Sequence, residues 1–198
     1  SFAEYVVVPA SGAVVIPDEM PLDRAALISC AVLTGYGAVM NTAKVKPGST
    51  VAIFGCGGVG LNIVQGARMA GATTIIAVDV TQEKLDLAKK VGATHVINGA
   101  TSDPVAMVKE ICGGVDYAFE ALGRESTIQQ AWGTVGVDGT LILVGLMKNG
   151  ATITLDAGPF VNEQSIKGCY FGSANLRKDV PALVKSYLNG ELFLDELI

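Results

Sequence analysis

Six consecutive residues, Gly55-Cys56-Gly57-Gly58-Val59-Gly60, follow directly on the apolar run Val51-Ala52-Ile53-Phe54. A second apolar run, Ile75-Ile76-Ala77-Val78, ends on Asp79. Strand, glycine turn, helix start and spaced acid together suit the binding of a pyrophosphate and a ribose. Gly55 permits the tight turn, Gly57 lets bare backbone approach the phosphates, and Gly60 lets the helix pack on the strand. Gly58 and Val59 open the helix, whose unpaired amides and positive dipole end attract an anion. The pattern predicts a bound dinucleotide. Asp79 is placed to accept hydrogen bonds from the adenosine ribose, and its charge would repel a 2′-phosphate, so NAD is expected over NADP. Three glycines alone could mark only a turn, and an isolated Asp could be a helix cap. The full context favours the binding site. Cys56 fills the variable position of the turn and is not expected to be a nucleophile.

The elements that position these residues follow from composition and pattern. The chain has 198 residues, enough for one full α/β domain and a short extra piece. Half of it is hydrophobic and mean hydropathy is +0.46, as expected when parallel strands are buried on both faces. The longest mainly apolar stretch, Ala25 to Met40, is interrupted by Ser29, Thr34, Gly35 and Gly37. It reads as too short to span a bilayer, so no membrane partner is expected. Residues 1 to 8 carry Glu4 and no basic region, unlike a signal peptide. The chain opens on a strand-like segment and reads as cut from a longer protein. A net charge of −5 without a basic stripe argues against nucleic acid. Cys30, Cys56, Cys112 and Cys169 are too dispersed for a disulfide framework, which points to a reducing, cytoplasmic setting.

Two short extended pieces are expected at Tyr5-Val8 and Ala13-Ile16, then a boundary at Pro17 and Pro21. Residues 23 to 43 read as helix, broken by a turn near Cys30 to Gly37. Beyond Val51, strands and helices alternate. Helices are expected from Gly58 to Ala70 and from a Thr81 cap to Gly92. Asp103-Pro104 reads as a helix start. Further helices are expected from Glu125 to Val135 and from Val180 to Asn189. Strands are expected at 95–97, 115–119, 140–144 and 165–171, with Asp138-Gly139 a turn before the third of these. Such alternation predicts a Rossmann-type, doubly wound parallel sheet with helices on both faces.

Cys30-Ala31-Val32-Leu33-Thr34-Gly35-Tyr36-Gly37-Ala38 resembles a segment of the zinc-dependent medium-chain alcohol dehydrogenases, the class III, formaldehyde-dehydrogenase-like branch above all. The likeness continues through Asn41-Thr42-Ala43-Lys44-Val45 and Pro47-Gly48-Ser49-Thr50-Val51. It recurs at Gly92-Ala93-Thr94, at Val115 to Glu120, at Leu143-Val144-Gly145 and at Lys167-Gly168. The resemblance implies that Cys30 is one protein ligand of a catalytic zinc, and that Thr34 and Val59 lie beside the nicotinamide. It implies that Asp79 and Lys84 hold the adenosine ribose and that Leu122 and Arg124 contact the cofactor. Val144, Gly145, Leu146 and Phe171 would line the nicotinamide carboxamide. Zinc would stabilise an alkoxide while a hydride passes to NAD. Residues 1–22 would then be a remnant of the catalytic, GroES-like domain, and 23–198 the cofactor domain.

The family's other zinc ligands and its proton relay have no counterpart here. His95, the single histidine, sits at a strand start and reads as structural. The chain alone is therefore expected to bind cofactor without turning over an alcohol or aldehyde. Two other readings stay open. A zinc-free quinone or enoyl reductase is opposed by Cys30 and Asp79. An NAD-sensing module would leave Thr34, Leu146 and Phe171 idle. Residues 151 to 171 suggest an exposed sheet edge, and with it a homodimer or homotetramer.

Overall fold

Val51 and Ile53 pack on one side of strand β1 (Thr50–Phe54), Ala52 and Phe54 on the other, and all four are buried. Such a strand must lie inside a sheet covered on both faces. The structure, a computed structural model, describes residues 3–198 and places β1 at the centre of six parallel strands. The others are β2 (Thr74–Asp79), β3 (His95–Asn98), β4 (Val115–Glu120), β5 (Val135–Leu143) and β6 (Ser165–Gly168). Their order is β3-β2-β1-β4-β5-β6. This is the doubly wound arrangement in which the chain reverses direction across the sheet beside β1, opening a crevice at the strands' carboxyl ends.

The long helix α1 (Leu22–Ala43) precedes β1. It shares one face of the sheet with α2 (Gly58–Met69) and α3 (Gln82–Val91), through Val39, Ile63, Val64, Leu85 and Val91. Helices α4 (Pro104–Cys112) and α5 (Glu125–Thr134) cover the opposite face through Val108, Ile128 and Trp132. Helix α6 (Leu176–Leu188) packs on α1 in a separate cluster of Ile28, Val32, Leu33, Leu183 and Val184. Gln65 is buried in α2, where its side-chain amide pairs with both the carbonyl and the N–H of Phe193. That contact ties the C-terminal segment to the helix that begins at the glycine turn.

Several local expectations are corrected. Tyr5-Val8 and Ala13-Ile16 join no strand, and only a 3-10 turn, Ala10–Gly12, separates them. The helix at 22–43 is not broken. It continues through Cys30 and Gly37 by widening into π turns at Ile28–Val32 and Ala38–Ala43. Its glycines serve close packing instead of a turn: a Cβ on Gly35 would sit 2.5 Å from the Val59 carbonyl oxygen. Helix α1 has 22 residues and contains an 18-residue window of mean hydropathy 1.4, so by length and composition it could cross a bilayer, contrary to expectation. Here its apolar residues line two of the protein's cores.

Asp138-Gly139 lies inside β5. Asp138 adopts φ 59°, and the pairing with β4 shifts register between Val115 and Tyr117. Strand β6 stops at Gly168, and α6 starts a turn earlier than Val180, with the Asn175 carbonyl accepting from the amides of Lys178 and Asp179. Thr81 occupies the cap position of α3 without a capping side-chain bond. Asp103 does cap α4, accepting from the amides of Val105 and Ala106, with Pro104 in the first turn.

Candidate dinucleotide-binding site

The crevice is built from the carboxyl ends of β1, β2, β4 and β5. After Phe54 the chain turns at Gly55, whose φ of 97° is a left-handed conformation that favours glycine. Helix α2 begins three residues later at Gly58. Its cap position is Gly57, which offers no side-chain oxygen. Among the described residues, the amides of Gly58, Val59 and Gly60 have no backbone or side-chain acceptor. Nothing lies within 4 Å of where a Gly57 Cβ would stand. Three free amides beside open space at a helix N-terminus form an anion cradle.

Asp79 ends β2 and is buried. Its Oδ2 accepts from the Cys56 N–H at 2.8 Å, and its Oδ1 accepts from the Thr81 N–H at 3.0 Å. The carboxylate is thereby fastened to the glycine turn itself. The Lys84 ammonium stands 4.0 Å away on a half-exposed side chain. Asp79, Lys84, Leu122, Arg124 and Thr127 help line a pocket of about 340 Å³, sized for part of a nucleotide. Cys56 is buried here, and burial first, then the charge of Asp79, push its thiol up to about 12. It stays protonated at neutral pH, in keeping with a packing role.

Glu120 was not singled out from the sequence. It ends β4 fully buried, and its carboxylate accepts from the amides of Leu122 and Gly123 and from the Thr127 hydroxyl. Its backbone carbonyl accepts from the amides of Val144 and Gly145. One residue thus holds both loops on the far side of the crevice. An acid closing a largely apolar strand was the available signal, the same one that marks Asp79. In Glu120→Gln an amide nitrogen would replace Oε2 and face the Gly123 N–H. The expected cost is about 1–2 kcal/mol, read as a lower urea midpoint. An unchanged midpoint would show that the loops hold without the charge.

The remaining expected residues fall into two groups. Leu122 packs over Gly55, Arg124 lines the pocket beside Asp79, and Gly145 stacks on the Leu122-Gly123 backbone. Val144 is buried beside them, whereas the Leu146 side chain is exposed. Thr34 and Phe171 meet through Gly172, whose backbone rests on the Leu33 and Thr34 carbonyls. Val59 lies between these groups, its carbonyl against Gly35. Cys30 is an exposed thiol on α1, one residue before Ala31, which touches Gly58. His95 is an exposed residue whose Nδ1 pairs with Thr94. Among the described residues no three His, Cys, Asp or Glu side chains gather as a metal site. An alcohol-dehydrogenase zinc takes three protein ligands, so these residues alone do not fit one.

A family model described as zinc-binding dehydrogenase matches residues 58–189. Alcohol dehydrogenase-like 1 of Arabidopsis thaliana is 41% identical over 203 residues, covering 100% of this chain and 52% of the relative. Alcohol dehydrogenase class-3 of Oryza sativa subsp. japonica is 41% identical over 208 residues, covering 100% and 53%. The chain spans about half the length of the curated relatives it matches. The crystal structure of benzyl alcohol dehydrogenase from Acinetobacter calcoaceticus superposes with a TM-score of 0.90 at 38% identity, over 92% of this chain and 51% of that one. The free amide cradle, the anchored acid beyond it and these matches agree: the chain belongs to the zinc-binding dehydrogenase family, of which it is the cofactor-binding portion.

Proposed function

We propose that this chain binds NAD along the carboxyl ends of its strands and, within a whole protein, presents the nicotinamide for hydride exchange with an alcohol. The observation that carries the reading is the Asp79 carboxylate bonded to the Cys56 amide, next to three unclaimed amides at the start of α2. The amides of Gly58, Val59 and Gly60 bind the pyrophosphate. Asp79 and Lys84 orient the adenosine ribose, and Leu122 and Arg124 border the adenosine. Thr34, Val59, Val144, Gly145, Leu146 and Phe171 hold the nicotinamide side. When bound, NAD supplies the hydride acceptor.

Cys30 is one thiolate ligand of a catalytic zinc whose other ligands come from elsewhere in the whole protein. In the same reading residues 1–22 belong with the catalytic domain, and subunits pair through the edge strand β6. All four cysteines are free, which supports a reducing, cytoplasmic setting. Titration of the chain with NADH and with NADPH, followed by nucleotide fluorescence, tests the cofactor reading. Selective NADH binding is expected. NADPH binding of equal strength would favour a zinc-free reductase, and no binding of either would remove the cofactor role.

A further inference from the structure

The turn after β6 is built in an uncommon way. Phe171, Gly172 and Ser173 have φ values of 51°, 67° and 47°, so three residues in succession are left-handed and two carry side chains. Such a run persists only where its surroundings impose it. Helix α1 supplies those surroundings. A Cβ on Gly37 would lie 2.2 Å from the Gly172 carbonyl oxygen, so the two backbones touch. The Asn41 side-chain amide donates to that same carbonyl at 3.2 Å and to Asp179 Oδ2 at 3.0 Å. Asp179, on α6, is buried, also accepts from the Asn175 N–H, and among the described residues has no cation within salt-bridge range. The buried Thr42 hydroxyl meets the Ser173 hydroxyl at 2.8 Å. Lys167 Nζ donates to the Thr42 carbonyl.

These contacts tie α1 to the turn after β6 and to the adjoining α6, 131 and 138 residues later in the sequence. Each half of a doubly wound sheet takes one nucleotide. Asp79 marks the β1–β3 half for adenosine, which leaves the β4–β6 half, with Phe171 beyond β6, for the other. We propose that Asn41 and Asp179 are positioning residues for that second half. Together with the Thr42–Ser173 pair they clamp the left-handed turn onto α1, so that Phe171 and Thr34 form one wall against the nicotinamide. Neither Asn41 nor Asp179 touches the cofactor. The inference rests on the NAD reading above and concerns only the nicotinamide end of the site.

ADP-ribose carries the adenosine, both phosphates and the second ribose of NAD but lacks nicotinamide. The affinities of NADH and ADP-ribose, measured by calorimetry on the wild-type chain and on Asn41→Ala and Thr42→Val, separate the two ends. Loss of a partly buried hydrogen bond should weaken NADH about tenfold in Asn41→Ala and less in Thr42→Val, with ADP-ribose held within about twofold. Retained ADP-ribose binding also shows that the variant is folded. If Asn41→Ala does not fold, the near-isosteric Thr42→Val decides by the same ratio. Equal losses of both ligands, or no loss of either, would overturn the clamp. So would a wild-type chain that binds ADP-ribose as tightly as NADH, which would leave the NAD reading standing. A wild-type chain that binds neither overturns both.

Discussion

Gly60→Ala is expected to remove NADH binding and to destabilise the chain, whereas Gly57→Ala is expected to remove binding alone. A Cβ on Gly60 would sit 1.7 Å from the Gly55 carbonyl oxygen and 2.8 Å from the Gly55 carbonyl carbon. Both are backbone atoms of a turn already in a left-handed conformation, so the first turn of α2 must move. Overpacking of this severity costs about 3 kcal/mol. The shift carries the three free amides with it, and a displacement near 1 Å in a positioned site costs about a hundredfold. At Gly57 a Cβ meets nothing, and the residue's φ of −77° suits any side chain. Alanine there fits the empty chain but occupies the space that the phosphates need. Denaturation midpoints and NADH titrations of the two variants should therefore diverge. Equal loss of stability would refute the distinction, and intact NADH binding by Gly57→Ala would remove the turn as the phosphate site.

The second large effect is expected at Asp79. Its charge lies in a pocket where a 2′-phosphate would meet a desolvated carboxylate, and such like-charge contacts cost several kcal/mol. Asp79→Ser retains one hydroxyl acceptor for the Thr81 amide but removes the charge, leaving Lys84 and Arg124 as the cations of the pocket. The NADH-to-NADPH affinity ratio should fall about a hundredfold or more. The loss of one charge-assisted bond to Cys56 should cost about 1–3 kcal/mol of stability. An unchanged ratio would show that specificity resides elsewhere in the crevice.

The parts of the site that were legible beforehand depend on short stretches of chain. Gly55 to Gly60 and Asp79 announce themselves because conformation and chemistry are encoded within a few residues of a buried strand. The strand runs at Val51 and Ile75 were legible because burial on both faces demands continuous apolar sequence. What escaped depends on partners remote in sequence. Gly35 and Gly37 look like turn residues until Val59 and Gly172 are seen against them. Asn41 gains meaning only from Asp179, and Glu120 only from the loops that it holds. Tyr5-Val8 has strand-like residues but, among the described residues, no neighbouring strand to supply hydrogen bonds. Asp138-Gly139 suits a turn and a bulge equally, because both need residues that tolerate a left-handed conformation.

The central position of β1 has a consequence for the order of events in folding. Its neighbour on one side, β2, follows after a single helix. Its neighbour on the other side is β4, and the amide and hydroxyl of Thr50 donate to Asp116, 66 residues later. At synthesis rates of about 5–20 residues per second, the second partner emerges roughly 3–13 seconds after the first strand. Through that interval β1 has an open edge flanked by Ala52, Ile53 and Phe54, the kind of segment that pairs with other chains. The non-local pairing that creates the cofactor crevice is also the slow one to close. The nascent chain is thus most prone to aggregate before it can form the pocket that β4 completes.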